Sequence, residues 1–127
     1  MKTFSSHWKS SKKPRKQRLY RKHAPLHVRG AFLNVHLSKE LRTKHKRRSL
    51  RARTGDTVKV LRGTHAGKTG KIDHVNAKKS LLFITGIDLT KKDGTKSLRG
   101  IHPSQLVLTD VVLDDKYRKA IIERTRS

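Results

Sequence analysis

Apolar and polar positions alternate most regularly in the middle of the chain. In "DTVKVLR" (56–62), Val58 and Val60 fall on one face and Lys59 on the other, the period of a half-buried strand. "GKIDHV" (70–75) predicts a second short strand. "SLLFITGI" (80–87) is a continuous apolar run of β-forming residues, too short for a typical buried helix. Lys92-Asp93-Gly94-Thr95 carries the Asp-Gly pair of a hairpin turn, and "SQLVLTDVVL" (104–113) closes the set. About five short strands joined by glycine-bearing turns predict a mainly β unit over 54–113, a small barrel with Leu82, Ile84, Leu106 and Leu108 in its core.

The flanks follow other patterns. "SSKKPRKQRLYRKH" (10–23) has no amphipathic period and too little apolar surface to fold alone, which predicts a flexible basic arm over 1–23. "APLHVRGAFLNVHL" (24–37) carries Leu26, Val28, Phe32, Leu33, Val35 and Leu37, too apolar for a free tail. Residues 24–53 are therefore expected to pack on the β unit. Within them a short helix is predicted at about 38–48, with Ser38 as N-cap, Glu40 in the first turn and basic residues in the last. "DDKYRKAIIERT" (114–125) predicts a tail helix capped by Asp114 or Asp115, with Tyr117, Ala120 and Ile121 as its apolar stripe.

Charge changes the picture of what the chain is for. The 127 residues hold 33 Lys and Arg against 9 Asp and Glu, a net charge of +24. Residues 1–53 hold 18 basic residues and one acid, Glu40, whereas 54–109 hold 10 and 4 and 110–127 hold 5 and 4. Such an excess repels itself, so a polyanionic partner is implied. The chain has no cysteine, which excludes disulfides and thiolate metal sites. No apolar run approaches the roughly 20 residues that span a bilayer, and the start lacks the apolar core of a secretory signal. Cytosol or nucleus is the expected location.

"RGTHAGKTGK" (62–71) resembles a phosphate-binding P-loop at first sight. That loop needs four residues between its glycines and a helix after them. Here Thr64, His65 and Ala66 alone separate Gly63 from Gly67, and a strand-like segment follows. The glycines fit instead a strand-loop-strand unit, where Gly63, Gly67 and Gly70 allow positive φ and close chain approach. Arg62, Lys68 and Lys71 then stand at the turn. The eight histidines are scattered; His23 and His27 have helical ligand spacing, but Pro25 lies between them, so no metal site or other cofactor is expected. Ser38 has no His-carboxylate pair beside it, and no paired carboxylates announce an enzyme.

The stretch "GDTVKVLRGTHAGKTGKIDHV" resembles the KOW motif of SH3-like barrels in ribosomal and transcription-elongation proteins. Gly55, Asp56, Val58, Val60, Gly63, Gly67, Gly70 and Ile72 carry the match. Further along the chain, "SKKPRKQR", "APLH", "HLSKELR", "RSL", "DGT", "IHPSQLVLT" and "DDKYRKAIIER" are together similar to one family in that order. It is the large-subunit ribosomal KOW protein numbered twenty-four in bacteria and twenty-six in eukaryotes, in its archaeal and eukaryotic branch. The likeness runs from about Lys12 to Arg124. Arg51-Ala52 stands where the family has Pro-Val, which implies a less rigid entry into the first barrel strand. Residues 1–11, with Phe4 and Trp8, have no counterpart.

The resemblance implies an SH3-like five-stranded barrel and a structural, assembly-supporting role on large-subunit ribosomal RNA. It places the site in the first domain of that RNA, near the peptide exit tunnel. The partners implied are this RNA and neighbouring large-subunit proteins, with no membrane and no homo-oligomer. The location implied is the cytoplasmic ribosome, with a nucleolar stage in a eukaryote. The residues expected at RNA are Lys12, Lys13, Arg15, Lys16, Arg18, Tyr20, Arg21 and Lys22 in the arm, then Arg42, Lys46, Arg47, Arg48, Arg51 and Arg53, and finally Arg62, Lys68, Lys71 and His102. Several have plainer readings. The first basic run also suits a nuclear import signal, Trp8 and Tyr20 either stack on bases or do not, and His102 in "HPS" could simply set a turn. A transcription-elongation factor is the other KOW class, but those carry a separate α/β domain for which this chain has no room.

Overall fold

The computed structural model describes residues 4–124, the side chain of Trp8 excepted. Seven strands form one sheet: β1 (Asn34–Leu37), β2 (Ser49–Arg51), β3 (Thr57–Val60), β4 (Thr69–Asn76), β5 (Leu81–Thr90), β6 (Lys96–Ile101) and β7 (Leu106–Asp110). Their order is β2-β1-β7-β3-β4-β5-β6. Four short helices accompany them among the described residues: α1 (Pro14–His23), α2 (Leu26–Arg29), α3 (Lys39–His45) and α4 (Lys116–Glu123).

The mainly β architecture expected from the alternating pattern is present, whereas in place of the expected five-stranded barrel stands one open seven-stranded sheet. The five expected strands are β3 to β7, and β1 and β2 extend the sheet past β7, leaving β2 and β6 as its edges. The added strands come from the segment expected only to pack on the β unit. Asn34-Val35-His36-Leu37 alternates, Val35 and Leu37 are buried, and the strand runs parallel to β7 with Leu37 opposite Leu108. β2 is too short to show a period. It pairs with β1 because Leu50, opposite Val35, completes the same buried layer.

The core is one cluster in which Val58, Val60, Leu82, Ile84, Ile87, Leu106 and Leu108 meet Leu33, Val35 and Leu37 from the arm. The apolar run of β5 therefore resolves into alternation: Leu82 and Ile84 point inward while Leu81 and Phe83 are half-buried. Its register against β6 shifts between Phe83 and Asp88, so Ile87 also turns inward.

The helices depart further from expectation. α1 lies in the arm that the local pattern predicts to be flexible. It starts with Pro14 at its first turn and has neither a side-chain cap nor an acid there. What holds it is tertiary contact. Tyr20 packs against Phe4 and Phe32 at ring distances of 5.0 and 6.1 Å, and the Arg21 guanidinium lies 5.5 Å from the Phe32 ring centre. Arg29 then donates to the carbonyls of Lys22 at 2.7 Å and Ala24 at 2.8 Å, the orphan acceptors at the end of that helix. α3 is shorter than the predicted 38–48. Ser38 Oγ caps it by accepting from the Leu41 amide at 3.3 Å, and Lys46 in the left-handed region (φ 48°) ends it.

α4 is capped by Asp115, whose Oδ1 accepts from the Tyr117 amide at 2.9 Å. Its inward face is not the expected one. Tyr117, Ala120 and Ile121 are exposed, and Arg118 and Ile122 turn inward instead. The expected last residue of that helix, Thr125, lies outside the described residues. Arg118 faces Asp56, which is fully buried (0% exposed). The guanidinium donates to both carboxylate oxygens, Nη1 to Oδ1 at 2.8 Å and Nη2 to Oδ2 at 2.6 Å. Oδ1 also accepts from the Val112 amide at 3.1 Å and Oδ2 from the Arg53 amide at 2.9 Å. Arg118 donates in addition to the carbonyls of Val112 at 3.0 Å and Arg51 at 3.3 Å. The Arg51-Ala52 entry, implied to be less rigid, is thus tied down by a residue from the tail.

Removing one partner of a buried, hydrogen-bonded ion pair leaves the other charge uncompensated. Arg118→Met is therefore expected to lower stability by about 3–5 kcal/mol in urea unfolding, and Asp56→Asn with Arg118→Met together to cost less than the two single changes summed. The exposed pair of Arg53 with Asp115, at 2.9 Å, is the internal comparison. Asp115→Asn keeps the cap and should cost no more than about 1 kcal/mol. A Cβ at Gly70 would lie 2.7 Å from both Ile84 Cγ2 and the Thr85 carbonyl oxygen. Gly70→Ala should destabilise by about 1–3 kcal/mol, and a thermal midpoint equal to that of the parent would refute the close approach.

Candidate nucleic-acid interface

Three cationic surfaces emerge from the fold. The first is α1 and its lead-in, where Lys12, Lys13, Arg15, Lys16, Arg18, Arg21 and Lys22 are all exposed. The helix turns an unordered run of charge into an array with fixed spacing. Tyr20 is half-buried between Phe4 and Phe32, so its ring anchors the helix. Nothing about base stacking by Trp8 follows, because its side chain lies outside the described residues.

The second surface is an open groove of about 1260 Å³ between β2 and α4. Lys46, Arg47, Arg48, Arg51 and Arg53 line it together with Arg124 of the tail. The sequence pattern assigns five of these six cations to RNA but gives no reason for them to converge. They converge because α3 ends at the left-handed Lys46 and the chain then enters β2 directly, while α4 crosses opposite. Arg47 Nη2 donates to the Arg124 carbonyl at 3.2 Å, linking the two walls. Arg51 lays its guanidinium against Gly30, where a Cβ would come within 2.6 Å of Nη1. Arg53 is shared with Asp115 through their 2.9 Å ion pair. Arg42 stands apart from this group: its Nε donates to the Leu37 carbonyl at 2.8 Å and its Nη2 meets His36 Nδ1 at 3.3 Å.

The third surface is the β3–β4 loop. Gly63 and Gly67 adopt φ of 97° and 87°, and the Gly67 amide donates to the Val60 carbonyl at 2.8 Å. β4 begins at Thr69, so a strand and not a helix follows the glycines, and the loop is not a P-loop. Arg62, Lys68 and Lys71 are exposed on this hairpin. Arg99 joins it from β6, donating to Thr64 Oγ1 at 3.4 Å and lining a small recess with Arg62 and His65. Arg99 stands far from Arg62 along the chain and carries no motif; only the sheet brings it there.

At His102 the surroundings disfavour the charged form. Burial, and then the nearby positive charge of Arg21, hold its pKa below the usual histidine value of 6.5. Its Nδ1 accepts from the Ser104 amide at 3.3 Å and meets Ser104 Oγ at 2.9 Å, which caps the turn Pro103–Gln105. The plainer of its two readings, setting the turn before the last strand, matches this geometry. Among the described residues no group of three His, Asp or Glu side chains could hold a metal ion.

With this geometry in place, likeness to known proteins fixes the lineage. Residues 11–125 match the family model described as ribosomal proteins, L26 in eukaryotes and L24 in archaea. A relative from Methanospirillum hungatei, named large ribosomal subunit protein uL24, is 49% identical over 109 residues, covering 86% of this chain and 91% of that one. Its namesake from Methanocella arvoryzae is 45% identical over 115 residues, covering 91% and 93%. A third, from Methanosphaera stadtmanae, is 43% identical over 114 residues, 90% of this chain and 97% of its own length. An open, cation-lined β sheet with a basic helical arm, matched almost end to end in this way, belongs to the ribosomal protein family of eukaryotic L26 and archaeal L24.

Proposed function

We propose that the chain is a structural constituent of the large ribosomal subunit that binds large-subunit ribosomal RNA and supports subunit assembly. A ribosomal protein of this family is a structural part and not an enzyme. The observation that carries the RNA reading is the segregation of charge. Residues 1–53 hold 18 cations and one acid, and the ordered elements α1, α3 and β2 carry half of those cations. Each cation that neutralises a phosphate releases condensed counterions, so such an array gains most from a polyanion of fixed shape. Backbone contacts of this kind position a protein on RNA without reading sequence. By this reading the binding site lies in the first domain of that RNA, near the peptide exit and among neighbouring large-subunit proteins, as the family resemblance suggests. A small rigid sheet with a projecting basic helix suits wedging between RNA helices, acting as a single copy.

Sedimentation tests the reading. The protein should travel with large subunits through moderate salt; recovery with RNA polymerase would move it to the elongation class. Residues 1–23 hold nine Lys and Arg. Their deletion should weaken RNA binding and flatten its salt dependence by roughly 0.7–0.9 log units for each phosphate no longer neutralised, while cooperative unfolding of the sheet persists. Loss of that unfolding transition would instead make the arm part of the folding unit.

A further inference from the structure

Tyr117 is apolar by pattern, yet its side chain is 82% exposed at the first turn of α4. Ile121, one turn later on the same face, is exposed as well. The core has no use for either, since Arg118 and Ile122 anchor the helix from its other side. Both exposed residues line the groove between β2 and α4, together with Arg51 of β2 and its neighbours Arg47, Arg48 and Arg53. Among the described residues the one carboxylate on that lining is Asp115, which is already paired with Arg53. Arg47 Nε is buried there without a hydrogen-bond partner among the described residues.

We propose that this groove holds an unpaired segment of RNA, with one base stacked on the Tyr117 ring and the flanking phosphates on Arg47, Arg48 and Arg51. The proposal rests on the RNA-binding reading above and adds to it a site and a conformation of the RNA. Cations alone would serve a duplex as well as a single strand. An exposed aromatic ring among them would not, because stacked base pairs cover the faces it would use, whereas an unpaired base offers one. The groove's volume of about 1260 Å³ suits a chain segment. An enclosed small-molecule pocket is typically smaller, about 300–1,000 Å³. Its charge favours a polyanion over the basic tails common among RNA-bound proteins.

The test uses the full chain with Tyr117→Ala, Tyr117→Leu and Tyr117→Phe, titrated with a short oligoadenylate and with a blunt RNA duplex. Alanine and leucine should weaken oligoadenylate binding by about 5- to 150-fold, the range of one base–aromatic stack, and leave duplex binding and the salt slope unchanged. Phenylalanine should bind as the parent does, which separates stacking from the hydroxyl. Because the side chain is exposed, all three should melt with the parent. Arg48→Gln should instead weaken both RNAs and lower the salt slope. Parental affinity of the alanine and leucine variants for oligoadenylate would overturn the proposal, as would an equal loss on the duplex. It would fall too if Tyr117→Ala loosened the chain from assembled subunits without touching RNA affinity, which would put a protein tail in the groove. A parent chain that binds neither RNA would sink the RNA-binding reading itself.

Discussion

A buried carboxylate sets the terms for the rest of this structure. Asp56 sits just before β3 with no exposure to water, and a bare carboxylate there would cost several kcal/mol. Arg118 meets it with a two-point fork, and the amides of Arg53 and Val112 fill its remaining lone pairs. The pair joins positions 62 residues apart and thereby ties the exit of β2, the start of β3 and the tail helix at one point. The groove exists because of that tie. Its two walls are the segments that Arg118 holds together, by donating to the Arg51 carbonyl from one side and standing in α4 on the other.

A chain of this charge must solve a packing problem as well as a binding one. The buried layer is almost wholly aliphatic, and the arm supplies Leu33, Val35, Leu37 and Leu50 to it. Where a cation neighbours a buried residue on a strand, as Arg51 does beside Leu50 and Lys59 between Val58 and Val60, it then has to face outward, because strand geometry sends alternate side chains to opposite sides. Folding therefore presents those two cations as a by-product of burying their neighbours. Self-repulsion along α1 is offset by aromatic contacts and by the Arg29 cap, which are short-range and insensitive to salt in a way that the repulsion is not.

Much of the fold is legible from local pattern. The period of two in "DTVKVLR", the Asp-Gly turn, the Ser38 cap and the Asp115 cap all rest on interactions within a few residues, and all are found where the pattern puts them. β1 is legible in principle, through the alternation of "NVHL", but its partner β7 is a distant strand and the parallel pairing leaves no local trace. α1 escapes a local reading because its own residues do not stabilise a helix. The same ring of Tyr20 that the sequence offers for stacking is what fastens it to Phe32. The tail helix has its inward face rotated from the one its pattern predicts, since hydrophobicity alone points to Tyr117 and Ile121 and cannot know that a buried anion waits for Arg118.

The sequence by itself determined the charge imbalance, the β character of residues 54–113, the glycine-bearing turn and the kinship. Each of these is a property of composition or of near neighbours along the chain. The tertiary structure alone decided which strands form the sheet edges, that the arginines in and around β2 share a groove with Arg124 and Tyr117, that Arg99 joins Arg62, and that burial and Arg21 disfavour charge on His102. Those outcomes depend on which distant groups a buried charge and a buried leucine happen to require, and the physics of that choice acts through space.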